Sequence, residues 1–163
     1  MTAVTSCKQI PGVHPVPLAR ELHGPCETIV AAAVKNVLIV DNDLGFVFWL
    51  GQALDAAGYD TLPAKGVREA VTLLSEIHVK IDVLMVRSSL PGAEEFAAEL
   101  RWAQRGHLKT IALLEENDDQ GESLSAWDGW QLKPSLPDSN ARKIFLSLVQ
   151  GVLRNGTGTV LTT

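Results

Sequence analysis

Three short runs of consecutive apolar residues constrain this chain most: Val37–Val40, Ile81–Val86 and Thr110–Leu114. A strand that is apolar throughout, rather than at alternate residues, is buried on both faces. That is the mark of a parallel sheet covered on each side by helices. The segments between the runs supply the helices. Leu44–Ala57 sets Phe46, Trp49, Leu50, Ala53, Leu54 and Ala57 on one face at helical spacing. Asp43 suits its N-cap and Gly58 its left-handed stop. Val67–Ile77 follows, with Val67, Ala70, Val71, Leu74 and Ile77 on one face. Ala93–Gln104 is a third helix after the Leu90-Pro91-Gly92 turn, and Gln120–Ala126 a short one. Asp138 caps a last helix through Leu153, with Ile144, Phe145, Leu148, Val149 and Val152 inward. Thr61-Leu62 and Gly129–Leu132 read as two further short strands. Five strand–helix alternations over residues 36–153 predict an α/β domain, a doubly wound five-stranded parallel sheet.

Residues 1–35 hold four of the eight prolines and no sustained period, which reads as an extended arm. Within it, Thr28–Val34 is apolar enough for a short docked element. Residues 154–163 read as a fraying tail. The balance of 14 Lys+Arg against 19 Asp+Glu, with no basic cluster, speaks against nucleic acid as a partner. No apolar run reaches the roughly 18 residues of a membrane span. The first twelve residues lack the pattern of a secretory signal. Cys7 and Cys26 then read as free thiols of a cytoplasmic protein.

In a doubly wound sheet, chemistry gathers at the carboxyl ends of the strands. Those ends are Asp41-Asn42-Asp43, Arg87-Ser88-Ser89, Leu114-Glu115-Glu116 and Lys133-Pro134. Together with AAGYDTLPA at 56–64, IDVLMVRSSLPG at 81–92 and WQLKP at 130–134, VLIVDND at 37–43 and TIALLEE at 110–116 resemble the receiver domain of two-component response regulators. The resemblance implies the flavodoxin-like (βα)5 fold and a phosphorylation pocket. In such a pocket two acidic residues after the first strand hold Mg²⁺, an aspartate after the third is the phosphoryl acceptor, and a Thr or Ser after the fourth grips the phosphate. A Lys before a Pro after the fifth supplies positive charge, an aromatic residue three positions earlier responds to the change, and the Lys–Pro bond is cis.

Carried onto this chain residue by residue, the resemblance gives a degenerate pocket. Asp41 and Lys133 match, and Trp130 takes the aromatic position. Asn42 stands where the second acid belongs, Arg87 falls on the acceptor position, and Leu114 falls on the hydroxyl position. A guanidinium stays protonated and is no nucleophile. Arg87 is expected to fork onto Asp41 in place of the metal, so Mg²⁺ binding is expected to be lost or weak and no cofactor is expected. Asp82 sits at the far end of its strand and cannot join the pocket. Ser88 and Ser89 have no His base beside them.

The remaining features read as structural. His14, His23, His78 and His107 are scattered without metal-ligand spacing, so no metal site is expected. The acidic run Glu115-Glu116 with Asp118-Asp119 reads as a solvated loop, and Glu94-Glu95 complement a helix N-terminus. The first helix carries a second apolar stripe, Leu44, Val47, Phe48 and Gly51. The N-terminal arm or a second copy across a two-fold covers it, or it is simply exposed.

These readings predict a stand-alone, receiver-like signalling module, not an enzyme, that acts by protein contact without phosphorylation. Its partner would be a sensor kinase or another signalling protein, with a homodimer through the first helix as one candidate contact. Two alternatives are a phosphoacceptor in a phosphorelay with an atypical site, and a small α/β enzyme or ligand binder using the sheet's crevice. No nucleophile–base pair or phosphate loop supports the last.

Overall fold

A computed structural model describes residues 34–116, 122–135 and 138–154. The described strands are β1 (Lys35–Val40), β2 (Tyr59–Ala64), β3 (Val83–Arg87), β4 (Lys109–Leu114) and β5 (Gly129–Leu132). They form one parallel sheet in the order β2-β1-β3-β4-β5. The helices are α1 (Leu44–Asp55), α2 (Val67–Ile77), α3 (Ala93–Ala103) and α4 (Ser139–Arg154), with a 3₁₀ turn at Glu122–Ala126. This is the doubly wound parallel sheet that the apolar runs predict, in the flavodoxin-like form that the resemblance implies.

The strands split their side chains between two cores. Ile39, Met85, Ile111 and Leu113 meet Phe46, Leu50, Leu54, Phe145 and Val149 of α1 and α4. Their neighbours Leu38, Val40, Leu84, Val86, Ala112 and Leu114 meet Ala70, Ala93 and Phe96 of α2 and α3. Successive residues of a strand point to opposite faces, so both residue sets must be apolar when both faces are covered.

Several boundaries and faces differ from the sequence reading. β2 runs six residues, not two, because it lies at the sheet edge, where Pro63 has no ladder bond to lose. β3 starts later than expected, at Val83, and includes Arg87. Asp82 is instead drawn into the chain before the strand, where its carboxylate accepts from Asn36 N at 3.0 Å and pairs with Lys35 at 3.3 Å. Val71 of α2 and Ile144 of α4 are exposed at 51% and 41%, while Leu73 and Ala141 turn inward in their helices. α1 ends at Asp55, and Ala57 lies exposed beyond it. Gly58 takes the left-handed turn at φ +88°. β1 takes in Lys35, the last residue of the expected arm. Residues 1–33 of the arm, with its two cysteines, His14 and His23, and the tail beyond Arg154 lie outside the described residues, as do Gln120 and Gly121 of the short helix.

Opposite the pocket, Asp128 ties β4, β5 and α3 together. It accepts from Thr110 N at 2.9 Å and Thr110 Oγ1 at 3.1 Å, and pairs with Arg101 at 2.9 Å. Among the described residues no helix is long and apolar enough to cross a membrane.

Candidate functional site

β1 is the switch point of the sheet: the chain moves to one side of it through β2 and to the other through β3. Such a point opens a crevice at the carboxyl ends of the strands. Asp41 follows β1 directly and is fully buried there. Its Oδ1 accepts from Asp43 N at 2.9 Å, which turns the chain into α1. Asp43 then caps the helix, with Oδ1 accepting from Phe46 N at 3.1 Å.

Lys133 follows β5 and reaches across the crevice with a side chain only 8% exposed. Its Nζ lies 2.9 Å from Asp41 Oδ2, 3.5 Å from Asp43 Oδ2 and 3.4 Å from Glu115 Oε1. It also stands 4.9 Å above the Phe46 ring, which adds a cation–π contact. The hydrogen bond from Phe46 N holds the Asp43 carboxyl below its ordinary range. Partial burial opposes it, and the Lys133 charge acts in the same direction as the hydrogen bond.

Arg87 closes the other half of the pocket. Nη1 donates to Asn42 Oδ1 at 2.5 Å, Nε to Ser89 Oγ at 2.8 Å, and Nη2 to Glu115 Oε2 at 2.8 Å. The expected fork onto Asp41 is therefore corrected: Lys133 is the cation on Asp41, and Arg87 pairs with Glu115. The physical reason is position. Lys133 supplies a compact ammonium at a buried carboxylate, whereas the planar guanidinium sits nearer the surface, among three acceptors spaced to meet its fork.

Leu114 is corrected as well. It is the last residue of β4, 2% exposed, and packs into the α2–α3 core. The residue of this strand end that enters the pocket is Glu115, whose two oxygens face Lys133 and Arg87. Sequence reading took Glu115 for part of a solvated loop. A basic residue ending β3 beside an acidic one just past β4 was the available signal. Trp130 of β5 is half-buried against the α2–α3 core. The Lys133–Pro134 bond is trans, not cis as the resemblance implied. Lys133 reaches its carboxylates through the trans bond, the form X–Pro bonds favour by about 0.5–1 kcal/mol.

The second stripe of α1 divides in two. Val47 is buried at 3% and Gly51 is also buried, next to Thr61 of β2. Leu44 and Phe48 stay exposed at 60% and 69%.

The pocket thus holds two cations and three carboxylates, satisfied against one another. Mg²⁺ requires near-octahedral oxygen ligands and keeps several waters. Here Lys133 sits on Asp41 Oδ2 and Arg87 on Asn42 Oδ1, so cations already occupy the two oxygens best placed to bind one. Among the described residues no cluster of three His, Cys, Asp or Glu side chains suits a metal.

The architecture is shared with known structures. A response regulator from Thermotoga maritima superposes with a TM-score of 0.61 at 22% identity, over 75% of this chain and 99% of that one. The fold is that of a response regulator receiver domain. The chemotaxis response regulator CheY4 of Vibrio cholerae matches at 0.59 and 24% identity, over 74% of this chain and 99% of its own. A receiver domain protein from Clostridium thermocellum matches at 0.55 and 17%, over 75% and 100%. No protein-family model matches the chain, and no curated protein is similar to it in sequence. The receiver fold is thus retained where sequence similarity is low.

Proposed function

We propose that this chain is a receiver-fold signalling module that acts by protein contact, in the cytoplasm, without taking up a phosphoryl group. One observation carries the reading: the side chain ending β3 in the pocket is Arg87, and it is ion-paired at 2.8 Å to Glu115 past the end of β4. A receiver that accepts phosphate needs a carboxylate at the first position and a hydroxyl at the second. Here the first has become basic and the second acidic, and the two replacements satisfy each other. The charge swap removes the nucleophile, fills the phosphoryl space with a carboxylate, and sets a cation against any incoming Mg²⁺. A pocket fixed in one charge state leaves surface recognition as the output, with a sensor kinase or another signalling protein as the partner.

The test is incubation with Mg²⁺ and acetyl phosphate, followed by intact mass. No gain is expected. A Mg²⁺-dependent gain of one phosphoryl would overturn the reading in favour of a phosphorelay acceptor with an atypical site. Arg87→Asp alone is expected to stay inert, since Glu115 would then repel the new carboxylate and Asn42 would still be neutral. The combination Asn42→Asp, Arg87→Asp and Glu115→Thr is expected to gain a phosphoryl group. Failure of that triple variant would mean that the pocket departs from a receiver site in more than these three residues.

A further inference from the structure

We infer that the groove between the feet of α2 and α3 docks a short acidic segment of another protein, one that carries an apolar side chain among its carboxylates. The groove, of about 380 Å³, is lined by His78, Val79 and Lys80 after α2 and by Ala103, Gln104 and Arg105 at the end of α3. No acid lines it. Lys80 and Arg105 are exposed, and among the described residues neither side chain makes a hydrogen bond or an ion pair. Asp82, two residues beyond Lys80, is answered by Lys35 at 3.3 Å and by Asn36 N at 3.0 Å. Gln104, turned so that its amide is satisfied, donates to Ile81 O at 2.6 Å and accepts from Ile81 N at 3.3 Å. That pair ties the two lining segments together, so the groove is preformed.

Among the described residues His78, at φ 48°, and Arg105, at φ 53°, are the only non-glycine residues in the left-handed region, and both line this groove. A Cβ makes that conformation costly, and glycine is the usual residue there. The chain after α1 meets the same need with Gly58, at φ 88°. After α2 and α3 it instead carries an imidazole and a guanidinium through the turn. Arg105 is not needed to answer the dipole of α3, because Arg101 already stands in the last turn of that helix. The two helix ends place about one negative charge here. Glu76, in the last turn of α2, lies outside the lining, whereas Lys80 and Arg105 set two positive charges on the lining itself. Apolar contact is on offer beside them. Val79 is 39% exposed, and Trp102, one helical turn before Arg105, is 84% exposed, the most of any large apolar side chain described. Trp and Arg are the residues most enriched among interface hot spots. Two cations are too few to hold a nucleic acid by its phosphates, and a net charge of -5 opposes approach to an anionic membrane. A peptide with a few carboxylates is matched by two cations, and its apolar side chain meets Val79 and Trp102.

The groove lies at the amino ends of β3 and β4, the opposite end of the sheet from Asp41 and Lys133. It rests on the reading of the chain as a module that acts by protein contact and gives that module a contact surface, yet peptide binding and phosphoryl uptake are measured separately and can fail separately. The probe is a fluorescein-labelled hexapeptide, Asp-Glu-Phe-Asp-Glu-Leu, titrated with the full chain up to about 2 mM at low salt and followed by anisotropy. The expected dissociation constant is on the order of hundreds of micromolar, and about tenfold weaker at high salt. Arg105→Gly and Lys80→Gln should each weaken binding several-fold. Arg105→Gly relieves the backbone at its position, so its melting temperature should match or exceed that of the unaltered chain, which separates lost binding from lost fold. No binding across the range overturns the proposal. So does equal binding of the amide peptide Asn-Gln-Phe-Asn-Gln-Leu, which would remove the charge match. Undiminished binding by the variant combining Lys80→Gln and Arg105→Gly would place the contact elsewhere and overturn it too. A single-stranded oligonucleotide, or a vesicle of phosphatidylserine and phosphatidylcholine, that binds more tightly than the peptide and is released by the same two substitutions would also overturn it, making that polyanion the ligand.

Discussion

Lys133 decides how the pocket is held together. Among the described residues it is the only cation on a fully buried carboxylate, and it faces two further acids, Asp43 and Glu115. Removing one partner of a buried pair leaves an uncompensated charge and costs about 3–5 kcal/mol. Lys133→Met is expected to lose stability on that scale in urea denaturation; a loss under about 1 kcal/mol would show that Asp41 finds other compensation. Asp43 sets the acid limit at the same place. Its folded carboxyl is held below the ordinary 3.8, so the unfolded chain takes up this proton first as pH falls. The stability it contributes is complete above 3.8 and is lost as pH drops through that value towards the lower folded one. Asp43→Asn keeps a capping side chain but gives up the carboxylate's contribution, so it should lower the neutral plateau of a stability–pH curve and flatten its acid limb, with the two proteins converging at low pH. At this scale the sequence was half legible. The strand ends, and so the residues Asp41, Arg87 and Lys133, follow from apolar runs and a family spacing. Which cation meets which anion does not. Arg87 and Lys133 both reach the crevice, and only the depth of Asp41 under Lys133 separates them. Leu114 turns into the core, as the alternation of Ala112 and Leu114 on one face of β4 against Ile111 and Leu113 on the other marks it, and the next residue, Glu115, meets the two cations.

Elements were legible where local pattern and tertiary need agree. α2 spans Val67–Ile77 and β5 spans Gly129–Leu132, as the apolar face of the one and the Lys-Pro signal after the other predict. β2 was nearly invisible because Asp60 and Pro63 lower its strand propensity, and its pairing with β1 over six residues is a tertiary effect. β5 carries information that no propensity supplies. A Cβ on Gly129 would lie 3.1 Å from Val152 Cγ2 and 3.2 Å from Leu148 Cδ1, so α4 packs directly on the bare backbone of this strand. Val152 and Leu148 are themselves buried, with little room to retreat. Gly129→Ala is therefore expected to force Val152 and Leu148 of α4 to give by a few tenths of an ångström and to cost about 1 kcal/mol, read as a lower urea midpoint with an unchanged slope. Because α4 begins just past Lys133, the same variant should loosen the Lys133–Asp41 contact; a neutral Gly129→Ala would show that α4 shifts freely on β5.

For the molecule as a whole, conserved architecture and altered chemistry are separable. The two apolar cores need only both-face burial of the strands, and Phe46, whose ring lies under Lys133, joins one of them to the pocket without carrying any of its charge. The pocket can then change charge without disturbing the fold, provided that the change is balanced, and Arg87 with Glu115 is such a balance. A consequence can be measured on the intact chain. A ligand that binds only the folded state stabilises it by RT ln(1 + [L]/Kd). A receiver site with a millimolar Mg²⁺ constant would gain about 1.4 kcal/mol in 10 mM Mg²⁺, and a domain of this size would melt about 3–5 °C higher. With Lys133 on Asp41 and Arg87 on Asn42, Mg²⁺ has to displace two resident cations to reach its oxygens. The melting temperature in 10 mM MgCl₂ is accordingly expected to match that in an ionic-strength control of NaCl to within about 1 °C. The variant combining Asn42→Asp, Arg87→Asp and Glu115→Thr should separate the two conditions by the full shift. A rise of several degrees in the unaltered chain would mean that the acids of this pocket hold a divalent ion despite the two cations, and the charge-swap account of the site would fall.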